Sequence, residues 1–133
     1  MTELPELYFR IRENGATVFR VNAENRERRI EMDQIAVVNT NRGDYKVHGD
    51  TTLSPTEEAV IGDWMQARLA LLAARNMDDI HRAIDHLNLT AHWAQAKASD
   101  DQLAQITDDL LMAMHDLRSV LVRKKTDRLS KAK

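Results

Sequence analysis

Leu53-Ser54-Pro55-Thr56-Glu57-Glu58-Ala59-Val60-Ile61 divides the chain into two parts of different periodicity. Ser54 and Glu57 hold the two ends of a capping box, and Pro55 stands at the first helical position, where its missing N–H costs nothing. Before this point apolar residues alternate with polar ones. After it they recur every three or four residues. A period of two followed by a period near 3.6 predicts strands and then helices.

Working back from Ser54, residues 7–48 are strand-rich. Leu7, Phe9 and Ile11 alternate with Tyr8, Arg10 and Arg12, and Phe19 and Val21 continue the pattern after Asn14-Gly15. A two-residue turn at Asn14-Gly15 sets Phe9 opposite Arg20. A three-residue loop, Glu13-Asn14-Gly15, sets Phe9 opposite Phe19 and Leu7 opposite Val21. The second register gathers the apolar side chains on one face and is the one expected. Glu24 to Arg28 reads as a charged loop. Ile30 and Met32 then give way to Ile35 and Val37 on the other parity, which predicts a bulge or break near Asp33-Gln34. Asn39 to Gly43 reads as a loop and Tyr45 to Val47 as a short last strand.

Working forward, residues 54–127 are helical. A first helix is expected from Pro55 to about Arg75, with Trp64 at core spacing. A second is expected from Asn76, which is placed to cap it, with Asp78 and Asp79 in its first turn. Ser99 and Gln102 form another capping box and open a third helix. Ile84, Leu87 and Ala91 are expected to face Ile106, Leu110 and Ala113, so the last two helices form an antiparallel hairpin. The fold expected is α+β, an antiparallel β-meander of three or four strands followed by three helices. All of 1–133 is read as a single domain, with 129–133 a frayed basic tail.

Composition narrows the chemistry. The 133 residues are 43% apolar and 30% charged, with no cysteine and four glycines. Thiolate metal sites and cysteine nucleophiles are therefore absent. The glycines are too scattered for a phosphate-cradling loop. The first residues lack the pattern of a secretory signal, and no apolar run is long enough to span a membrane, so the expected location is cytoplasmic. Charge is unevenly placed. Residues 51–117 hold four Lys/Arg against eleven Asp/Glu, and residues 118–133 hold seven against one.

Several groups of residues are candidates for function. His81, Asp85, Asn88 and His92 fall at 4–3–4 spacing on one helix stripe, with His115 on the next helix. His81, Asp85, His92 and His115 are the candidate metal ligands, since side chains at i and i+4 reach a common point. Arg10, Arg12 and Arg20 are expected to share one sheet face with Tyr8, a surface able to meet phosphates or stack bases. Arg26, Arg28 and Arg29 follow in the next loop. Arg123, Lys124 and Lys125 anchor the basic end. Trp93 lies off the apolar stripe and is a candidate to plug the hairpin or anchor a partner. The leading expectation is a non-catalytic protein-interaction or regulatory domain, with self-association through the helices. Nucleic-acid binding is the alternative, and a metal protein or enzyme built on the His/Asp stripe is the second. No catalytic residue is assigned and no cofactor is expected.

Overall fold

The computed structural model describes residues 6–22 and 30–132. Four strands form one antiparallel sheet in chain order: β1 (Leu7–Arg12), β2 (Gly15–Asn22), β3 (Glu31–Asn39) and β4 (Asp44–Val47). Two helices follow, α1 (Pro55–Ala96) and α2 (Asp100–Lys131). The α+β meander is as expected, but the described residues form two helices rather than three. The chain divides into two compact units, one up to Asp79 and one from Ile80 onward, and α1 runs through both. The loop read at Glu24 to Arg28, with its arginines, lies outside the described residues.

The missing helix break is at Asn76. A cap stabilises only where the chain leaves the helix, and nothing there makes it leave. Between Gly62 and the end of α1 there is neither proline nor glycine. Asn and Asp cost only a few tenths of a kcal/mol each inside a helix. The helix therefore continues through Asn76-Met77-Asp78-Asp79.

The first hairpin follows neither expected register: its turn lies one residue before Asn14-Gly15 and is one residue shorter than the loop Glu13-Asn14-Gly15. Arg12 pairs with Gly15, so Glu13-Asn14 is the turn, and Phe9 lies opposite Val18 rather than Phe19. Leu7, Phe9 and Ile11 thus share a face with Arg20, Val18 and Ala16. Gly15 is not a turn glycine but a strand residue, paired with Arg12 on one side and Asn39 on the other. Its φ is +153°, and a Cβ there would lie 1.9 Å from the Val38 carbonyl oxygen. The close approach of β3, not the turn, requires glycine at this position.

The parity switch on β3 is a bulge at Ile35. Val18 pairs with Ala36 and the next residue, Phe19, pairs with Gln34. The unpaired Ile35 carbonyl accepts the N–H of His48 at 2.9 Å. The bulge lets Ile35 and Ala36 both lie buried.

One face of the sheet packs on the first turns of α1. Leu7, Val18, Ile35, Ala36 and Val38 meet Leu53, Ile61 and Met65. Trp64 stacks on Phe9 with ring centroids 4.6 Å apart and planes 6° from parallel. Ile61 and Met65 are one turn apart, so they present a single stripe to the sheet.

Arg20, brought to this face by the register, is satisfied by the helix. Its guanidinium donates to both Glu57 carboxylate oxygens, at 2.7 and 2.9 Å. Glu57 also closes the capping box: its Oε1 accepts the Ser54 N–H, and its own N–H donates to Ser54 Oγ. One carboxylate thus both starts α1 and ties it to β2. The Arg20 hydrogen bonds, then the Ser54 N–H, hold the Glu57 carboxyl at about 2, against an ordinary 4.5. A carboxyl lowered on folding stabilises the fold fully above its unfolded value and loses that contribution as pH falls toward its folded one. Stability from Glu57 should therefore fade between about pH 4.5 and 2. With the guanidinium partly open to solvent, the contribution is roughly 1–2 kcal/mol. Melting curves of the native chain and Glu57→Gln should converge over that window; a constant difference between them would refute the pairing.

Candidate functional site

The unit from Ile80 onward consists of the last part of α1, a short connection and α2. Its helices stop and start for local reasons. The Trp93 carbonyl accepts the N–H of both Lys97 and Ala98, each at 2.9 Å, which ends α1. Ser99 then caps α2: Ser99 Oγ accepts the Gln102 N–H at 3.2 Å, and Gln102 Oε1 accepts the Ser99 N–H at 3.0 Å. This is the capping box read from the sequence. Three residues between helices force the chain back on itself.

Four of the positions expected at the seam, Leu87, Ala91, Ile106 and Leu110, border a common groove. Leu87, Ala91 and Ala94 from α1 line one groove with Leu103, Ile106 and Leu110 from α2. The groove has a volume of about 310 Å³ and is partly open to solvent. Leu111 and Met114 extend its wall, and its polar members are only Thr90 and Thr107.

What the sequence did not disclose is how little of this surface is covered. No residue of α2 is buried. Leu103 and Ile106 are half-buried, and the rest of α2 is exposed. Ile80, Ile84 and Leu87 on α1, and Leu110, Leu111, Met112, Met114, Leu117, Val120, Leu121 and Val122 on α2, are all exposed. Monomeric proteins rarely leave this much apolar surface exposed. A signal for it was present. One stripe, Leu103-Ile106-Leu110-Ala113-Leu117-Val120, suffices for a hairpin, and Leu111, Met112, Val122 and Leu129 lie off it.

The other candidates are placed as follows. Trp93 is half-buried and borders a shallow hollow with His86, Leu89 and Thr90. His81, Asp85, Asn88 and His92 are exposed along α1, and His115 is exposed on α2. Among the described residues, no three His, Asp or Glu side chains come together to hold a metal ion. Arg123, Lys124 and Lys125 are exposed on α2, but successive residues point about 100° apart, so they do not form one face.

The expected arginine face is corrected. Arg20 lies on the core side, drawn there by the turn at Glu13-Asn14 and held by Glu57. Arg10 and Arg12 keep the outer face. Arg10 sits over the Phe19 ring at 4.5 Å, and Arg12 donates to Thr17 Oγ1 at 3.3 Å. Tyr8 lies 6.3 Å from Phe19 on the same face.

Comparison with known proteins finds no match for this chain among family models, curated proteins or solved structures. Among the described residues, no helix is long and apolar enough to cross a membrane.

Proposed function

We propose that this protein is a non-catalytic interaction domain that works through its helical hairpin. The reading rests on one observation: a 32-residue helix, α2, with no buried residue and apolar side chains around much of its circumference. Most helices in water depend on packing one face against something. The hairpin seam supplies such packing only near the connection, at Leu103 and Ile106. The remaining length needs a partner surface of its own.

The sheet unit has a separate role in this reading. Its core gathers on Ile61 and Met65 and draws on no residue from Ile80 onward among the described residues.

Leu87→Glu combined with Leu110→Glu puts two carboxylates into the groove. Burying an unpaired charge is costly. The double variant should weaken every association of the chain, with itself or with another protein, by roughly a hundredfold or more. Sedimentation equilibrium and circular dichroism read this together: association lost, helix content kept. Association unchanged in the double variant would overturn the assignment of the hairpin as the docking element.

A further inference from the structure

We infer that the partner of α2 is α2 of a second copy of this chain, packed antiparallel about a two-fold axis. The inference rests on the hairpin being the docking element and names what docks there.

The argument comes from a stripe of α2 that joins the groove at Leu111, so a helix seated on the stripe also borders the groove. Ala104, Asp108, Leu111, His115, Arg118, Val122, Lys125 and Leu129 follow 4–3–4–3–4–3–4 spacing. This is the spacing of a heptad seam, with apolar residues at 104, 111, 122 and 129 and charged or polar ones at the four positions between. All eight residues are exposed, Leu111 to 57%, Val122 to 52% and Leu129 to 53%.

The stripe is complementary to its own reverse. Turned end for end about a point between Asp116 and Leu117, Ala104 meets Leu129 and Leu111 meets Val122. In the same register Asp108 meets Lys125 and His115 meets Arg118. Apolar residues fall on apolar ones and Asp108 falls on Lys125; His115 opposite Arg118 is the one layer without a complement. A two-fold interface requires this property, because one patch must match itself. Each contact is made twice.

Charge along the whole helix selects the same arrangement. Residues 100–117 hold five Asp and no Lys or Arg, and residues 118–131 hold six Lys/Arg and one Asp. Antiparallel pairing lays each half on its opposite. Parallel pairing lays like on like. The helix dipole accounts for acids in the first turn and bases in the last, but its influence ends there. Asp108, Asp109, Asp116 and Arg118 lie well inside the helix, where the dipole gives no reason for the sharp change of sign.

The chain has no cysteine, so introduced cysteines report alone. In this register position 111 faces position 122 of the other copy. Two copies of position 111 are about 16 Å apart along the axis, eleven residues at the helical rise. Leu111→Cys protein mixed with Val122→Cys protein should therefore form a cross-linked dimer with a short bis-maleimide, and neither protein alone should. Cross-linking by each protein alone would mean parallel helices and overturn the inference. So would a mixture that fails to cross-link although both thiols label with a monofunctional maleimide. Charge exchange provides the second measurement. Asp108→Lys and Lys125→Asp should each weaken the dimer about tenfold, since each symmetric pair counts twice, and the double exchange should restore it. If these variants leave association unchanged while Leu87→Glu with Leu110→Glu abolishes it, docking stands and the second-copy geometry falls.

Discussion

Gly15→Ala should unfold the sheet or lower its stability by about 4 kcal/mol or more, at the exceptional end for a single methyl group. The new Cβ would sit 1.9 Å from the Val38 carbonyl oxygen and 2.7 Å from its carbon. Both are backbone atoms of a central pairing, so neither can swing aside as a side-chain tip would. Relief requires β2 and β3 to separate where Ala16 and Val38, both nearly fully buried, meet. The φ of +153° adds a conformational cost for any L side chain. Gly43→Ala is the control. Gly43 also has a positive φ, +75°, but a Cβ there meets nothing within 4 Å. It should cost about 1 kcal/mol. Urea unfolding followed by fluorescence in a Trp93→Phe background, where Trp64 reports alone, compares the two, and equal midpoints would sink the close-approach explanation.

Ile61→Ala should cost about 3 kcal/mol, within the range for deleting a large aliphatic side chain from a closed core. Ile61 is fully buried between α1 and the sheet, beside Val18, Ile35 and Val38. Those neighbours are held by the strand ladder and the Ile35 bulge, so they cannot collapse into the space. Ile84→Ala removes the same atoms from a side chain 49% exposed on the hairpin. At concentrations where the chain is monomeric it should cost less than about 1 kcal/mol. Equal losses for the two variants would show that the core is not where Ile61 places it.

Much of this fold was legible because it depends on local chemistry. Both capping boxes, Ser54 with Glu57 and Ser99 with Gln102, formed as read, since each needs only four residues and their own backbone. The bulge was legible as a parity switch because a strand shows its faces in alternation. The apolar seam of the hairpin was legible as 3–4 spacing. Where the reading failed, it treated a locally ambiguous residue as decisive. Asn76 has the side chain of a cap but no neighbour that ends a helix. Gly15 looks like half of a turn, and only the position of Val38 on another strand gives it its purpose.

The site divides the same way. The residue pattern along α2, including the reversal of charge between Asp116 and Arg118, is a property of the sequence alone. So are the absence of cysteine and the order of strands before helices. The tertiary structure decided which of these features are still unsatisfied once the chain has folded. It withdrew Arg20 from the outer sheet face by giving it Glu57, and it spread the His81-Asp85-His92 stripe along an exposed helix. It also left α2 without a buried residue. The reason is that periodicity specifies which face of a helix is apolar, whereas burial depends on how many other surfaces the folded chain brings against it.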